Sequence, residues 1–344
     1  MTIGSYFFKD VGVDLGTANS LVYLKGRGIL VSEPTVVAVN NKTNQILSVG
    51  DDAKRMMGRT PAHISVVRPL KNGVISDFEM AQEVIRQFLK RLSRNSMFSY
   101  RKGILAIPDN LTEVERKSAE DAVLNAGCSK VYLVESPVAA ALGANLPINL
   151  PTASLIVDIG GGTTDIAVIS MGGVVVSKTL KVAGDKLNDD IISFVRDEFK
   201  LAIGEPTAEF VKIAVGSAIP GGEKLEVSLR GRDLATGLPK EIMVRDTQIR
   251  AAIAKSIRSI IDAIHEVIET APPELTGDML KQGIYLCGGG SMLRGIDALV
   301  ERETSVATEV VDDPLTCVAR GLGHLVDHFE SHKALLDNIA RPLI

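Results

Sequence analysis

The chain has 344 residues, of which 45% are hydrophobic, so it is long enough for two domains with sizeable cores. Its 38 basic and 42 acidic residues give a net charge of −4, which excludes the strongly basic surface typical of nucleic-acid-binding proteins. We therefore expect no nucleic-acid partner. The N-terminus has no signal-peptide pattern, and no segment approaches the ~20 apolar residues that span a bilayer, so we expect a soluble intracellular protein.

The first predicted element is a strand hairpin built around a glycine turn. Residues 11–24 read V-G-V-D-L-G-T-A-N-S-L-V-Y-L, in which an apolar strand ends near Asp14 and a second apolar strand follows Gly16-Thr17. A glycine turn leaves backbone N–H groups accessible, so it can surround a phosphate group.

Hydrophobic periodicity and capping signals predict the elements that follow. They are a small domain over residues 33–73 with a short helix near 51–57, an amphipathic helix over 77–92, a strand over 103–108, a helix that starts at a Thr112–Glu115 capping box and ends at Gly127, a strand over 131–134, and an Ala-rich helix for which Ser136 is the N-cap and Pro137 the first residue.

The segment before the 103–108 strand predicts a membrane contact. Met97 and Phe98 lie in a loop among basic residues, which are Arg91, Arg94, Arg101 and Lys102. Such a loop suits shallow insertion into an anionic membrane face. The alternative is that Phe98 packs on the core. Residues 6–8, Tyr-Phe-Phe, would either add a second apolar contact with the membrane or pack on the first strand.

A second hairpin repeats the first at nearly half the chain length, which indicates an internal duplication. Residues 155–170 read L-I-V-D-I-G-G-G-T-T-D-I-A-V-I-S, with Asp158 before three glycines and with Thr163 and Thr164 after them. Asp165 opens the second strand. Carboxylates beside a phosphate require a cation between them, and Mg²⁺ is the usual one. Taken alone, the loop also fits an ordinary glycine-rich hairpin.

The rest of the chain predicts a second small domain and a third glycine loop. The elements are a helix over 186–200 after Gly184-Asp185, a helix over 206–216, strands within 225–244, a long helix over 247–270, and a strand from Ile284 that runs into Gly288-Gly289-Gly290-Ser291 and a helix. His324, His328 and His332 recur every four residues on the last helix; we interpret them as a solvated face, because no Cys or carboxylate pattern supports a metal site. Cys128, Cys287 and Cys317 are expected to be buried free thiols.

Three such loops in this order resemble the superfamily of actin, the Hsp70 chaperones and the sugar kinases. Within it, the chain is similar to the MreB/Mbl family of bacterial actin homologues over nearly its whole length. The segments that carry this resemblance are D-L-G-T-A-N-S-L-V from Asp14, S-E-P-T-V-V-A from Ser32, R-P-L-K-N-G-V-I-S-D from Arg68, D-I-G-G-G-T-T-D-I-A-V-I-S from Asp158, A-I-P-G-G-E from Ala218, P-P-E-L from Pro272, G-G-G-S-M-L-R-G from Gly288 and D-P-L-T from Asp313.

The resemblance implies an α/β fold of the actin-like (ribonuclease H-like) type, duplicated and two-lobed, with a nucleotide cleft between the lobes and two small inserted subdomains. The implied division is subdomain IA over 1–32, 74–148 and 320–344, IB over 33–73, IIA over 149–185 and 247–319, and IIB over 186–246. It also implies ATP or ADP and Mg²⁺ as ligands, filaments of the chain itself, a peripheral position on the inner face of the cell membrane, and elongation-complex partners such as RodZ.

By the same resemblance, Asp14 and Asp158 should arrange the Mg²⁺ ion, and Met97 and Phe98 match the family's membrane loop. The implied nucleotide-binding residues are Gly16, Thr17, Ala18 and Asn19, then Gly160, Gly161, Gly162 and Thr163, with Gly184, Asp185, Glu209 and Lys212, and finally Gly288, Gly289, Gly290, Ser291 and Met292. The implied catalytic positions are Ser136, Asp158 and Thr163.

One position departs from the family pattern. MreB proteins typically carry Glu-Glu-Pro where this chain has Glu135-Ser136-Pro137, and the second Glu positions the attacking water. Since a Ser hydroxyl is not a base at neutral pH, we expect nucleotide binding and assembly with slow ATP hydrolysis. The alternatives are a nucleotide-binding scaffold filament with effectively no ATPase activity and, more remotely, a small-molecule kinase.

Overall fold

The computed structural model describes residues 9–92, 100–221, 224–333 and 335–336. Its strands are β1 (Lys9–Leu15), β2 (Asn19–Leu24), β3 (Gly28–Pro34), β4 (Val37–Asn40), β5 (Gln45–Val49), β6 (Ile64–Val67), β7 (Leu70–Lys71), β8 (Val74–Ile75), β9 (Tyr100–Ile107), β10 (Val131–Glu135), β11 (Ser154–Ile159), β12 (Thr164–Ser170), β13 (Gly173–Leu180), β14 (Leu201–Ala202), β15 (Glu226–Asp233), β16 (Pro239–Arg245), β17 (Ile284–Cys287) and β18 (Thr308–Val310).

Its helices are α1 (Asp51–Met56), α2 (Phe78–Leu92), α3 (Glu113–Asn125), α4 (Ser136–Gly143), α5 (Gly184–Phe199), α6 (Glu205–Val215), α7 (Asp246–Thr270), α8 (Pro273–Gln282), α9 (Ile296–Thr304) and α10 (Cys317–Asp327). Short 3₁₀ turns cover Gly289–Met292, Pro314–Thr316 and Phe329–His332.

Two five-stranded sheets with the same strand order form the centre of the molecule. The first sheet runs β3-β2-β1-β9-β10 and the second runs β13-β12-β11-β17-β18. In each, an antiparallel three-stranded meander is extended by two parallel strands. Each sheet therefore carries one glycine hairpin in the same place, which confirms the duplication that the repeated hairpins predicted.

Helices α4 and α10 pack between the two sheets and join the lobes. Their apolar side chains share one core cluster with Ile104 and Val134 of the first sheet and with Ile156 and Ile169 of the second. The outer face of the first sheet is covered by α2 and α3, and that of the second sheet by α5 and α7. The apolar stripe predicted on the longest helix packs on this second outer face.

Two small sheets project from the lobes. Strands β5-β4-β6 form one of them with α1 packed against it, and β14-β15-β16 form the other. They fall within the two insertions predicted at 33–73 and 186–246. The boundaries of the four subdomains stay a prediction.

Several local predictions can be compared with the structure. The capping box is confirmed, since the Thr112 N–H donates to Glu115 Oε2 (2.8 Å) and the Glu115 N–H donates to Thr112 Oγ1 (3.3 Å). Ser136 is not the N-cap of α4: the helix begins at Ser136 itself, Glu135 occupies the cap position, and no side chain caps it. A following proline already lacks an N–H, which reduces the need for a cap.

Two predicted helices differ from the structure. The third glycine loop leads into a four-residue 3₁₀ turn rather than a helix, and α9 begins only at Ile296. Helix α10 ends at Asp327, so His332 lies in a separate 3₁₀ turn. The ring centroids of His324 are nevertheless 4.9 Å from His328 and 5.1 Å from His332. Across the described ranges, no group of three or more His, Cys, Asp or Glu side chains is arranged to ligate a metal.

The three cysteines are buried and free, as predicted. Within the ranges given above, no helix is at once long enough and apolar enough to traverse a bilayer.

The crossing of α4 and α10 requires glycine, which gives a test of the core. A methyl group added at Gly321 would lie 1.7 Å from the carbonyl oxygen of Ala139, whereas one at Gly277 on α8 would meet nothing within 4 Å. Gly321→Ala should therefore lower the free energy of unfolding by about 2 kcal/mol or more through overpacking. Gly277→Ala should be neutral or stabilising, because alanine favours helix by up to ~1 kcal/mol. Urea denaturation measures both, and equal stability of the two variants would contradict the packing.

Candidate functional site

The two glycine hairpins face each other at the centre of the molecule and have the same turn geometry. In the first, the Gly16 N–H donates to the Asn19 carbonyl (3.1 Å), and in the second the Gly160 N–H donates to the Thr163 carbonyl (2.9 Å). Both turns are therefore closed across the same spacing of three residues.

The two hairpins approach each other so closely that a side chain would not fit at Gly161 or Gly162. A methyl group at Gly161 would lie 2.5 Å from the Cβ of Ala18, and one at Gly162 would lie 2.7 Å from Thr17 Oγ1. The cleft beside them has a volume of about 480 Å³. This volume is within the range of small-molecule binding sites.

Most of the predicted site residues line this cleft. They are Asp14, Gly16, Thr17, Ala18, Asn19, Ser136, Asp158, Gly160, Gly161, Gly162, Thr163, Gly184, Asp185, Glu209, Lys212, Gly288, Gly289, Gly290 and Met292. Ser291 does not line it: the side chain is buried and its hydroxyl donates to the Gly288 carbonyl (2.7 Å), so it closes the turn. Met97 and Phe98 lie outside the described residues.

Asp14 and Asp158 present carboxyl groups to the cleft from the ends of β1 and β11. Burial raises the pKa of Asp14 to about 7. Burial, followed by repulsion from Asp165 and Asp14, raises the pKa of Asp158 to about 8. No ion pair in the described part of the chain includes either residue. Two carboxylates without a basic partner, beside turns that expose N–H groups, are residues that would hold a divalent cation next to phosphates.

Ion pairs between the two lobes cross the mouth of the cleft. The Lys54 ammonium on α1 lies 3.0 Å from Glu209 Oε2 on α6. The Arg68 guanidinium lies 3.2 Å from Asp185 Oδ1 at the start of α5 and also pairs with Glu205. These contacts connect the two lobes over the site.

The predicted residues Asp185, Glu209 and Lys212 therefore already have protein partners. Lys212 donates through Nζ to the Gly184 carbonyl (2.8 Å), and burial lowers its pKa. Burial raises the pKa of Asp185, although Arg68 and then Lys212 oppose the shift. A ligand that reaches these groups must share them with the existing contacts.

The cleft residues that sequence reasoning missed include Lys54, Arg68 and Gly73 of the first lobe. The Gly73 N–H donates to Thr17 Oγ1 (3.0 Å), and a methyl group at Gly73 would lie 3.2 Å from Thr163 Cγ2. Asn72 and Gly73 both have positive φ, at 51° and 77°. An Asn-Gly pair is a strong turn signal, so the sequence could have predicted this turn. The sequence could not have predicted that the turn lies over both hairpins.

Ser136 lines the cleft, whereas Glu135 lies outside its lining. Burial, followed by the neighbouring Asp109 carboxylate, raises the pKa of Glu135 to about 7. Because Glu135 shares a hydrogen bond with Asp109 and does not line the cleft, it is not placed to substitute for a carboxylate at position 136.

Known proteins of one family are similar to this chain over nearly its whole length. Residues 8–334 match the sequence model of the MreB/Mbl protein family. The chain belongs to the MreB/Mbl family. It is 43% identical over 324 residues to the cell shape-determining protein Mbl of Bacillus subtilis (strain 168), which covers 94% of this chain and 97% of that protein.

Two solved structures show the same fold. MreB5 of Spiroplasma citri bound to ADP is similar with a TM-score of 0.90 and 38% identity, over 97% of this chain and 99% of that chain. The MamK double helical filament is similar with a TM-score of 0.80 at 23% identity, over 93% of this chain and 98% of that chain, and shows the fold alone. The actin-like fold expected for an MreB/Mbl protein is thereby confirmed.

The raised pKa values of Asp14 and Asp158 predict how stability depends on pH. An unfolded Asp ionises near pH 3.8, so between about pH 4 and pH 8 the folded state retains protons that the unfolded state has lost. The free energy of unfolding of the nucleotide-free protein should therefore fall as pH rises through this range. Asp158→Asn should reduce the fall and raise stability at pH 8 by at least about 1 kcal/mol.

Urea denaturation at pH 5, 6, 7 and 8 measures this dependence. Asp52→Asn, at an exposed position on α1, is the matched control and should leave the slope unchanged. A wild-type stability that rises from pH 5 to pH 8 would contradict the prediction.

Proposed function

We propose that this MreB/Mbl-family protein binds ATP or ADP with Mg²⁺ in the cleft, polymerises into filaments on the inner face of the cell membrane, and directs cell shape and cell-wall synthesis. The observation that carries the proposal is the pair of matching glycine hairpins that face each other across the cleft, each with an aspartate behind it. Such a pair offers backbone N–H groups to phosphates from both lobes at once.

The nucleotide would lie between the two lobes and would contact both of them. Its phosphates fit between Gly16–Asn19 and Gly160–Thr163, because the glycines leave the backbone uncovered. Ile213, Met292 and Leu315 are apolar lining residues that suit the face of a purine. MreB5 of Spiroplasma citri, 38% identical to this chain, was solved bound to ADP and also bound to AMPPNP.

Asp14 and Asp158 would hold the Mg²⁺ ion, which uses few protein ligands and keeps several waters beside substrate phosphates. When bound, this ion would neutralise charge on the β- and γ-phosphates. Within the described ranges, no group of three or more Asp, Glu, His or Cys side chains could hold a metal ion. A magnesium ion would not need such a group, because two carboxylates and phosphate oxygens would supply its ligands together with water.

Hydrolysis would be slow because the cleft lacks a carboxylate at position 136. Ser136 contributes a neutral hydroxyl, and Thr163 and Asp158 would support the residual rate. Loss of a general base typically costs on the order of 10²–10⁴ in rate. The alternative is a filament that binds nucleotide as a scaffold and has effectively no ATPase activity.

The cellular role rests on family membership. The relative from Bacillus subtilis is named a cell shape-determining protein. Filaments of the chain itself, the membrane position and elongation-complex partners such as RodZ follow from the family resemblance. For the membrane contact, the Met97-Phe98 pair with its basic neighbours is the sequence feature that favours it.

A substitution at position 136 tests the catalytic part of the proposal. Ser136→Glu should raise the rate of phosphate release at saturating Mg-ATP by one to two orders of magnitude, because it restores a carboxylate that can position water. Phosphate release and sedimentation of filaments are measured together on anionic vesicles. Ser136→Gln, which has a similar size and no charge, is the control and should not accelerate release.

The outcomes separate the two functions. Wild-type filaments that release phosphate in step with assembly indicate a working ATPase. Filaments without release from the wild type, and without acceleration in Ser136→Glu, would favour the nucleotide-binding scaffold. A chain that binds neither ATP nor ADP would contradict both.

A second substitution tests the membrane contact. Replacing both Met97 and Phe98 by Ser should abolish co-sedimentation with anionic vesicles, because the apolar contact is lost while the basic neighbours remain. Leu234 and Leu238 are exposed leucines on the β15–β16 turn, and their double replacement by Ser is the matched control. Retained binding of the Met97/Phe98 variant would instead implicate residues 6–8.

A further inference from the structure

The threonines of the two hairpins have opposite hydrogen-bond directions, and they lie at different places in the duplicated turns: Thr17 directly follows the first turn glycine, whereas Thr163 closes the second turn. Thr17 Oγ1 accepts a hydrogen bond from the Gly73 N–H (3.0 Å), so its own hydrogen is free to donate into the cleft. Thr163 Oγ1 instead donates to Asp165 Oδ2 (3.0 Å). The hydroxyl hydrogen of Thr163 is therefore occupied, and this hydroxyl can only accept a hydrogen bond from a group in the cleft.

Asp165 is held so that this direction is fixed. It lies on β12 directly opposite Asp158 on β11, and only 6% of its surface is exposed. Its second oxygen, Oδ1, accepts a hydrogen bond from the Thr179 hydroxyl (2.5 Å). In its ionised form, with both oxygens accepting from hydroxyls, the carboxylate acts as an acceptor only, and Thr163 is then the donor.

In the described part of the chain no basic side chain contacts Asp165, and the charged groups that act on it, Asp109 and Asp158, are acidic. Burial raises its pKa, the hydroxyls of Thr179 and Thr163 lower it, and Asp109 raises it further. Asp158 repels it across the strand pair. The two hydroxyl donors are thus the groups that favour its charged form, and each is held in place by that charge.

We propose that Asp165 is a positioning residue for nucleotide hydrolysis: it fixes the Thr163 hydroxyl so that Oγ1 accepts a hydrogen bond from the attacking water. The inference rests on the proposed ATPase function. Both Thr163 and Asp165 line the cleft, at the hairpin that would face the terminal phosphate. A water that donates one hydrogen to Thr163 has an oxygen lone pair free to point at phosphorus.

This role is specific to the second hairpin. The Ser136 hydroxyl has no such partner among the hydrogen bonds seen for the described residues, so it can act as donor or acceptor and does not by itself orient a water. Thr17 is arranged as a donor, which suits a phosphate oxygen. The duplicated hairpins would therefore have different tasks, one holding phosphate and the other aligning water.

Asp165→Asn tests the proposal, because the amide keeps the shape of the carboxylate but can donate to Thr163 and reverse its hydroxyl. Phosphate release is measured in a single turnover at saturating Mg-ATP, and ADP affinity is measured separately. We expect release to fall about tenfold or more while ADP affinity changes by less than about threefold. Thr163→Val should match this loss, and Thr163→Ser, which keeps the hydroxyl, should retain most of the rate.

Two further variants separate positioning from stability. The double variant Asp165→Asn/Thr163→Val should be no slower than either single variant, because both remove one interaction. Thr270→Val, at an exposed threonine at the end of α7 and outside the cleft lining, is the control and should stay within about threefold of wild type. Unchanged release in Asp165→Asn, or a parallel loss of ADP affinity and release, would overturn the proposal.

Failure of the proposed function gives a different result. A wild-type protein that binds ADP and assembles but releases no phosphate would overturn the role of Asp165 in hydrolysis and leave nucleotide-driven assembly intact. Absence of ADP binding in the wild type would contradict the nucleotide site itself.

Discussion

The burial of two aspartates without a basic partner is the constraint on which the rest of the site depends. Asp14 and Asp158 reach the cleft from equivalent strands of the two sheets, and burial raises the pKa of each. The folded protein therefore retains protons at these positions or needs a cation between them. A ligand that carries a divalent cation and phosphates would relieve the conflict, and by binding the folded state it would stabilise both lobes together.

The floor and the mouth of the cleft are built from different interactions, and this difference suits a hinge. At the floor, α4 and α10 cross so closely that Gly143 and Gly321 contact backbone, and the surrounding core is apolar. At the mouth, the lobes meet through partly exposed ion pairs such as Lys54 with Glu209. Exposed ion pairs contribute little to stability and exchange readily with water. The lobes are therefore joined firmly below the site and loosely above it.

The duplication explains the frame of the site but not its chemistry. Both hairpins close their turns with the same backbone hydrogen bond, yet the side chains behind them differ. The first lobe places the Asn72-Gly73 turn over Thr17, whereas the second places Asp165 behind Thr163. Because a hydroxyl has one hydrogen, its partner decides whether it faces the cleft as donor or acceptor. Repetition of a motif thus does not imply repetition of a role.

Much of the fold followed from the sequence, because hydrophobic period, glycine turns and capping signals are local. The duplicated hairpins, the amphipathic helices and the Thr112 capping box were predicted in the places where the structure has them. The glycines of the three loops, together with Asp14, Asp158 and Asp185, were found for the same reason, since each motif lies within a few residues. The exceptions are also local: Glu135 rather than Ser136 occupies the N-cap position of α4, and the third glycine loop forms a 3₁₀ turn instead of a helix.

What the sequence could not determine is which distant groups meet. The Lys54–Glu209 and Arg68–Asp185 pairs join residues more than a hundred positions apart, so no periodicity marks them. Ser291 belongs to a cleft motif by its place in the chain, but its hydroxyl closes the turn at Gly288. The direction of the Thr163 hydroxyl depends on Asp165 and Thr179, which packing of neighbouring strands brings together. The sequence by itself determined the local motifs of the site. Only the tertiary structure decided which distant residues become partners and how deeply the ionisable groups are buried, and that burial sets their pKa values.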